Sequence, residues 1–277
     1  MDYSFDIIIP TFNRAHCLGR AIDSVLGQSF ENFRVWIIDD GSTDQTEEIV
    51  SGYEDERVNY LRTENRGVSA ARNFGIGHSS APWISFLDSD DEWLPDKLEK
   101  QIQLMEKQPA LKVVHGEEIW IRKGKRVNPK NKHKKFGGMI FEKCIPLCVI
   151  SPSAVTIHRD VFADIGKFRE DFTVCEDYDL WLRICAKYPV GFVETPIIKK
   201  YGGHSDQLSS KYHSMDVYRV RGLFSILENL EREDWIAQVC EMIEYKCKIL
   251  LAGFEKHQNF RDYDEIQGIL ERIKNEK

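Results

Sequence analysis

The chain has 277 residues, with 38 lysines and arginines against 45 aspartates and glutamates, for a formal net charge of −7. That balance excludes a basic nucleic-acid-binding face as the main feature of the molecule. A hydrophobic fraction of 42% and a charged fraction of 30% are those of a globular chain long enough to bury a full core, and no apolar run approaches the roughly 20 residues of a membrane-spanning helix. The seven cysteines (Cys17, Cys144, Cys148, Cys175, Cys185, Cys240 and Cys247) form no C-x-x-C pair and are odd in number, which predicts reduced thiols rather than a disulfide framework or a zinc site. No basic region precedes Ile7-Ile8-Ile9, so the expected location is cytoplasmic.

Ile7-Ile8-Ile9 reads as a strand, and the polar turn Pro10-Thr11-Phe12-Asn13-Arg14 follows it. Leu18, Ala21, Ile22, Val25 and Leu26 then repeat with a helical period and one apolar face. A second strand, Val35-Trp36-Ile37-Ile38, ends in Asp39-Asp40-Gly41-Ser42-Thr43-Asp44. Asp44 and Glu47 have the spacing of a capping box for a helix from Thr46 to Tyr53. Val58 to Leu61 is a third strand, Asn65-Arg66-Gly67 leads into a small-residue helix from Val68 to Gly75, and Trp83 to Leu87 is a fourth strand. Strands alternate with helices, which predicts an α/β, doubly wound, mostly parallel sheet flanked by helices, with the polar turns gathered along one edge.

Three turns therefore share one crevice at the carboxyl ends of the strands, where open α/β sheets bind ligands. The first supplies hydroxyl, amide and guanidinium groups from Thr11, Asn13 and Arg14; the second supplies Asp40, able to accept from a base N–H or a ribose hydroxyl. The third bunches Asp88, Asp90 and Asp91 around Ser89. Carboxylates so close repel one another unless a cation or hydrogen-bond donors hold them. A hard divalent ion, Mg²⁺ or Mn²⁺, would do so while bridging to a diphosphate. The plainer reading is a solvated acidic turn that caps the helix after Pro95. Arg72 offers a fork suited to phosphate or a planar base edge, and taken singly it reads as a surface ion pair. Neither G-x-G-x-x-G after the first strand nor G-x-x-x-x-G-K-[ST] occurs, so neither a dinucleotide fold nor a P-loop accounts for the crevice.

Ile7 to Arg14, Ile37 to Asp44, Asn65-Arg66-Gly67 with Ala71-Arg72-Asn73, and Leu87-Asp88-Ser89-Asp90-Asp91 resemble, in order and spacing, the successive motifs of family-2 glycosyltransferases. The resemblance covers about Asp6 to Ser209 and implies a GT-A fold and a nucleotide-sugar donor, UDP-linked. It further implies that Pro10, Thr11, Asn13, Arg14 and Asp40 lie by the nucleoside and Arg72 by the base or diphosphate. Asp88-Ser89-Asp90 would be the D-x-D that binds ribose and metal, with Asp90 the direct ligand and Asp88 beside it. On this reading residues 1–210 form the transferase domain, with a nucleotide half at about 1–112 and an acceptor half at about 113–210, and residues 211–277 form a helical extension.

In the acceptor half, Val113 to Trp120 is a strand, and Arg122 to Lys135 is rich in lysine and arginine. This basic stretch reads as a solvated hairpin or as a patch for an anionic acceptor or anionic lipid headgroups, the last giving peripheral membrane association. Phe136 to Ser151 is apolar and fits an acceptor path; Ser153 to Ile157 is a strand. Leu180, Trp181 and Ile184 give a helical face that puts Glu176 and Asp177 at a helix N-terminus, where a carboxylate serves as a cap, a base or both. The resemblance implies that Asp177 is the catalytic base, and it makes Glu176 and Trp181 candidates beside the donor sugar or acceptor. His204 and Gln207 fit the segment that closes over the diphosphate in many relatives; His204 would complete a metal shell or touch phosphate, or else be an exposed loop histidine. Val217 to Leu227 and Ile236 to Leu250 have helical spacing and are expected to cover the sheet or form a homodimer contact, with a membrane anchor as the alternative.

The expected activity is inverting transfer of a single sugar to a hydroxyl of a glycan or lipid-linked acceptor, in surface polysaccharide, lipopolysaccharide or other glycan synthesis. Q-x-x-R-W, the mark of processive relatives, is absent. Two other classes stay open. A sugar-phosphate nucleotidyltransferase would need a Gly-rich phosphate loop and a lysine, which Pro10 to Arg14 lacks, and a non-catalytic nucleotide-sugar-binding subunit would be expected to have lost the D-x-D or the Glu-Asp pair.

Overall fold

Alternation along the strands decides which face of the sheet each apolar residue serves. The computed structural model describes residues 3–203 and 214–275. Strands β1 (Phe5–Thr11), β2 (Phe33–Asp39), β3 (Val58–Arg62) and β4 (Trp83–Phe86) pair in parallel in the order β3-β2-β1-β4. Ile8 of β1 enters one core with Ile38, Ile84 and Phe86; Ile7 and Ile9 enter the opposite core with Val35 and Ile37. Because both faces of β1 are covered, its sequence is a continuous apolar run rather than an alternating one.

Helices α1 (Ala15–Leu26) and α4 (Lys97–Lys107) pack on the Ile7 face through Leu18, Ile22, Leu98 and Met105. Helix α3 (Val68–His78) packs on the Ile8 face, so closely that a Cβ at Gly75 would lie 2.7 Å from Ile8 Cγ2. Helix α2 (Thr46–Ser51) does not open with the expected capping box. Asp44 Oδ1 accepts from the Thr46 N–H at 3.1 Å, but Glu47 turns away to pair with Arg62 at 3.1 Å. The other Asp44 oxygen accepts the Ala15 N–H at 3.0 Å, so one carboxylate satisfies orphan donors at the starts of α1 and α2.

Beyond β4 the sheet is mixed. Strands β5 (Glu92–Trp93), β6 (Val113–Arg122), β7 (Lys125–Val127), β8 (Thr156–His158) and β9 (Gly191–Gly202) complete the order β3-β2-β1-β4-β8-β6-β9-β5, with β7 forming a hairpin on β6. Strand β8 runs against both β4 and β6, whereas β9 is parallel to β6. The strand expected from Ser153 starts only at Thr156, because residues 152–154 form a 3₁₀ turn. The Ser153 carbonyl and hydroxyl are engaged by Trp93 and Asp91 instead of by a sheet ladder.

Helices α5 (Phe141–Cys144), α6 (Arg159–Ile165) and α7 (Glu176–Lys187) share the Ile8-side core with three carboxyl-terminal helices, α8 (Met215–Leu227), α9 (Glu233–His257) and α10 (Tyr263–Asn275). Trp235 of α9 lies with its ring centroid 4.6 Å from that of Phe141, joining the carboxyl-terminal helices to the rest of that core. Helix α10 falls within the expected helical extension, and its apolar face, which the sequence reading did not name, is Ile266, Ile269, Leu270 and Ile273, all buried at helical spacing. No described helix is long and apolar enough to cross a membrane. All seven cysteines are free thiols.

The basic stretch lies on the β6–β7 hairpin and the segment that follows it. Arg122, Lys123, Lys125, Arg126, Lys130, Lys132 and Lys134 are exposed. Lys135 departs from the expectation of a uniformly solvated run: it is buried, with its Nζ 2.8 Å from Glu118 Oε1.

Candidate active site

The ends of β1 and β2 are tied into one rim. The Asp40 N–H donates to the Thr11 carbonyl at 2.9 Å, the Asn13 N–H donates to Ser42 Oγ at 2.8 Å, and the Thr43 N–H donates to Asn13 Oδ1 at 2.7 Å. Asn13 sits at φ 53°, a left-handed conformation that asparagine tolerates. The Phe12 ring between these residues is 46% exposed. Pro10 lies buried within β1, paired with Ile38 of β2. The Thr11 hydroxyl is buried with no hydrogen-bond partner among the described residues. Asp40, expected at the nucleoside, accepts the N–H groups of Arg66 and Gly67 at 2.8 Å each, one on each oxygen. Burial pushes its pKa up and those two N–H groups oppose the shift. The loop it grips turns through Gly67 at φ 91°, which favours glycine.

The turn after β4 carries the carboxylate cluster, and its anchor is Asp91. Ser153 Oγ donates to Asp91 Oδ2 at 2.6 Å and accepts the Asp88 N–H at 3.1 Å, while the Tyr201 N–H of β9 donates to Asp91 Oδ1 at 2.9 Å. Arg20 of α1 donates to the Asp90 carbonyl and stacks on the Tyr201 ring at 3.8 Å. Neither Ser153 nor Arg20 stood out in the sequence, since each acts on a segment more than sixty residues away. Burial pushes the carboxyl groups of both Asp90 and Asp91 up; the Asp88 charge adds to the shift at Asp90, and Lys200 opposes it at Asp91. Ser89 is buried in the same turn, and the Asp88 side chain remains partly exposed.

Asp88 and Asp90 are the carboxylates that could hold a hard divalent cation, and one Asp88 oxygen is taken by Arg72 at 2.7 Å. Among the described residues no group of three histidine, cysteine or acidic side chains forms a protein-only metal cage. A pair of carboxylates suits Mg²⁺ or Mn²⁺, whose remaining positions go to phosphate oxygens and water. His204 lies outside the described residues.

Helix α7 starts after Cys175, which takes the left-handed conformation at φ 61° and gives no side-chain cap. Asp177, in the first turn, accepts the Tyr178 N–H on Oδ1 at 2.7 Å and the Cys148 thiol on Oδ2 at 3.3 Å. Glu176 is buried, and its Oε1 accepts from Arg72 Nη1 at 2.6 Å; Arg72 Nη2 donates to Asp88 Oδ1 at 2.7 Å. Burial pushes the Glu176 carboxyl up, while Arg72 opposes that shift. Trp181 has no exposed surface and lies in the core against Phe168, which corrects the expectation that it contacts a sugar.

Lys200 of β9 had no signal in the sequence. Its Nζ donates to Ser151 Oγ at 3.0 Å. Burial works against its charge, but Glu118, Asp91, Asp88 and Asp177 together outweigh that and raise its pKa. Glu118 also receives Lys135 and Trp120 at 2.8 Å and 2.9 Å. Burial alone would raise its carboxyl, but Lys135 and Lys200 draw it down to about 2.

A family model, Glycosyl transferase family 2, matches residues 6–166. The Escherichia coli enzyme WfgD, a UDP-Glc:α-D-GlcNAc-diphosphoundecaprenol β-1,3-glucosyltransferase, is 29% identical over 261 residues, 92% of this chain and 96% of WfgD. An uncharacterised glycosyltransferase of Rickettsia felis is 35% identical over 200 residues, covering 72% of this chain and 33% of its own, so the chain spans about a third of that relative's length. Staphylococcus aureus TarS, solved in complex with UDP-GlcNAc, superposes with a TM-score of 0.72 at 19% identity, over 98% of this chain and 79% of that one, which shows the GT-A fold. The family match takes in the first two turns, the Arg72 helix and the Asp88–Asp91 turn, the parts that meet in this crevice, and on that ground the chain belongs to glycosyl transferase family 2.

Proposed function

We propose that the protein transfers a single sugar, with inversion, from a UDP-sugar to a hydroxyl of a lipid-linked glycan acceptor in surface polysaccharide synthesis. The observation that carries this is the Arg72 guanidinium, which ties the Asp88-Ser89-Asp90 turn to the first turn of the helix that bears Asp177. A carboxylate pair for the donor and a candidate base for the acceptor are thus held on one framework. Support from the relatives is that TarS was solved with UDP and with UDP-GlcNAc, that WfgD uses a UDP-glucose donor and a diphosphoundecaprenol acceptor, and that AmsB of Erwinia amylovora serves amylovoran biosynthesis.

In this reading the acceptor oxygen attacks the anomeric carbon on the face opposite the diphosphate and gives its proton to Asp177. The bond between the anomeric carbon and the diphosphate oxygen breaks, and its electron pair leaves with UDP. General-base help of this kind is worth about 10²–10⁴-fold. Asp90, with Asp88, would hold Mn²⁺ or Mg²⁺, which when bound offsets the charge growing on the departing diphosphate. Arg14, at the N-terminal cap of α1, and the exposed Phe12 ring would border the nucleotide end, the ring offering a stacking face to a base. The exposed cations of the β6–β7 hairpin and the following segment would rest on anionic headgroups and bring the crevice to a lipid-borne acceptor at the membrane face.

The test is UDP release and product formation with UDP-glucose, UDP-galactose and UDP-GlcNAc, each with a polyprenyl-diphosphate-linked GlcNAc acceptor and with Mn²⁺ or EDTA. Acceptor-dependent transfer from one donor, abolished by EDTA, is expected. Transfer that persists in EDTA would remove the metal from the proposal, and no transfer from any UDP-sugar would overturn it. Sedimentation with phosphatidylglycerol vesicles, weakened by salt and absent with phosphatidylcholine, is expected for the hairpin.

A further inference from the structure

Arg72 is enclosed on all sides. It is 3% exposed, its Nη1 and Nη2 are engaged by Glu176 at 2.6 Å and Asp88 at 2.7 Å, and its guanidinium lies 5.1 Å from the centroid of the Phe168 ring. Its terminal nitrogens are spread between carboxylates of two different segments and its Nε is buried with no partner among the described residues, so the fork is turned inward and presents no face to a base edge or a diphosphate. Its two partners instead belong to the two halves of the reaction. Asp88 stands in the turn that receives the donor, and Glu176 immediately precedes Asp177 at the start of α7.

We propose that Arg72 is a positioning residue rather than a nucleotide contact: through Glu176 it sets the first turn of α7, and hence the aim of Asp177, relative to the turn that carries Asp88 and Asp90. The inference rests on the reading of Asp177 as the base. The Asp177 carboxylate is held on Oδ1 by the Tyr178 N–H of its own helical turn, so its direction follows the helix start, while Oδ2 accepts the Cys148 thiol from the segment after α5. That start has no side-chain cap at Cys175, and among the described residues the Glu176–Arg72 bond ties the first turn of α7 to the donor side. Lysine at position 72 keeps the charge but concentrates it at one nitrogen, which cannot reproduce the two-ended fork. Glutamine at position 176 keeps the shape and an acceptor oxygen but removes the charge.

The experiment compares the full-length wild type, Arg72→Lys, Glu176→Gln and the double variant, reading UDP affinity by calorimetry and kcat and donor KM in the transfer assay. Misaiming a base by a fraction of its reach is expected to lower kcat about 10- to 100-fold in each single variant. UDP affinity and donor KM are expected to stay within about threefold, and the double variant to be no slower than the slower single one, because both changes break the same bond. Weaker UDP binding in Arg72→Lys with unchanged kcat would overturn the proposal and return Arg72 to the nucleotide. Additive losses in the double variant would overturn it too, by showing that the two residues act separately. If Arg72→Lys fails to fold, Glu176→Gln alone decides: lost kcat with retained UDP affinity supports the proposal, and wild-type kcat overturns it. An inactive wild type would count against the proposed activity itself, which separates the two failures.

Discussion

Asp177 is engaged on both oxygens, yet each partner is one that a charged carboxylate favours: a backbone N–H at 2.7 Å and a thiol at 3.3 Å. Replacing it by asparagine keeps the size and removes the proton acceptor. Asp177→Asn is expected to bind UDP as the wild type does and to lose about 10²–10⁴-fold in kcat, measured as UDP release with acceptor present. His115 shows a different residue-scale effect. It is fully buried, with Nε2 at 2.7 Å from the Phe136 carbonyl and Nδ1 without a partner among the described residues, and burial lowers its pKa to about 4, with Lys135 lowering it and the Phe136 carbonyl and Glu118 opposing. As pH falls below 6.5 the unfolded imidazole takes a proton that the folded one refuses, so this residue is expected to remove about 3 kcal/mol of stability by pH 4. Urea titrations at pH 7 and pH 4.5 check this: His115→Gln should lose less stability between the two than the wild type does.

At the scale of elements, the structure shows where local spacing is informative and where it misleads. Strands β1, β2 and β4 and helices α1 and α3 follow their sequence periods because each has its own buried face. The Asp44 and Glu47 spacing predicted a reciprocal cap, but Glu47 found Arg62 and Asp44 found the start of α1. Removing Asp44 orphans donors at two helix starts, so Asp44→Ala is expected to cost about 1–2 kcal/mol, more than a single surface cap in the low range. Gly75 marks the closest approach of α3 to β1, and Gly75→Val is expected to cost about 1–3 kcal/mol by overpacking against Ile8. Urea midpoints of the two variants measure both. The 3₁₀ turn at 152–154 was not legible, because what holds Ser153 out of the strand is Asp91 and Trp93, sixty residues or so upstream.

For the whole molecule, the carboxyl-terminal helices are part of the main core rather than an attachment to it. Trp235 is buried against Phe141, and its Nε1 donates to Glu142 at 3.2 Å. Trp235→Ala is expected to lower stability by about 3–5 kcal/mol, with kcat per folded molecule unchanged well below the melting transition, as scanning calorimetry and the transfer assay would show. What the sequence determined by itself is what short-range physics controls: the order and type of most elements, the turns that end strands, and the motif spacing that led to the family. What only the tertiary structure decided is the partner of each charge. Arg72 meets Glu176 across 104 residues, Lys135 is drawn out of a basic run to buried Glu118, Lys200 arrives from β9 beside four carboxylates, and Trp181 turns into the core. Charge pairing and desolvation depend on distance in space, and periodicity along the chain carries no record of which distant segments the sheet order makes neighbours.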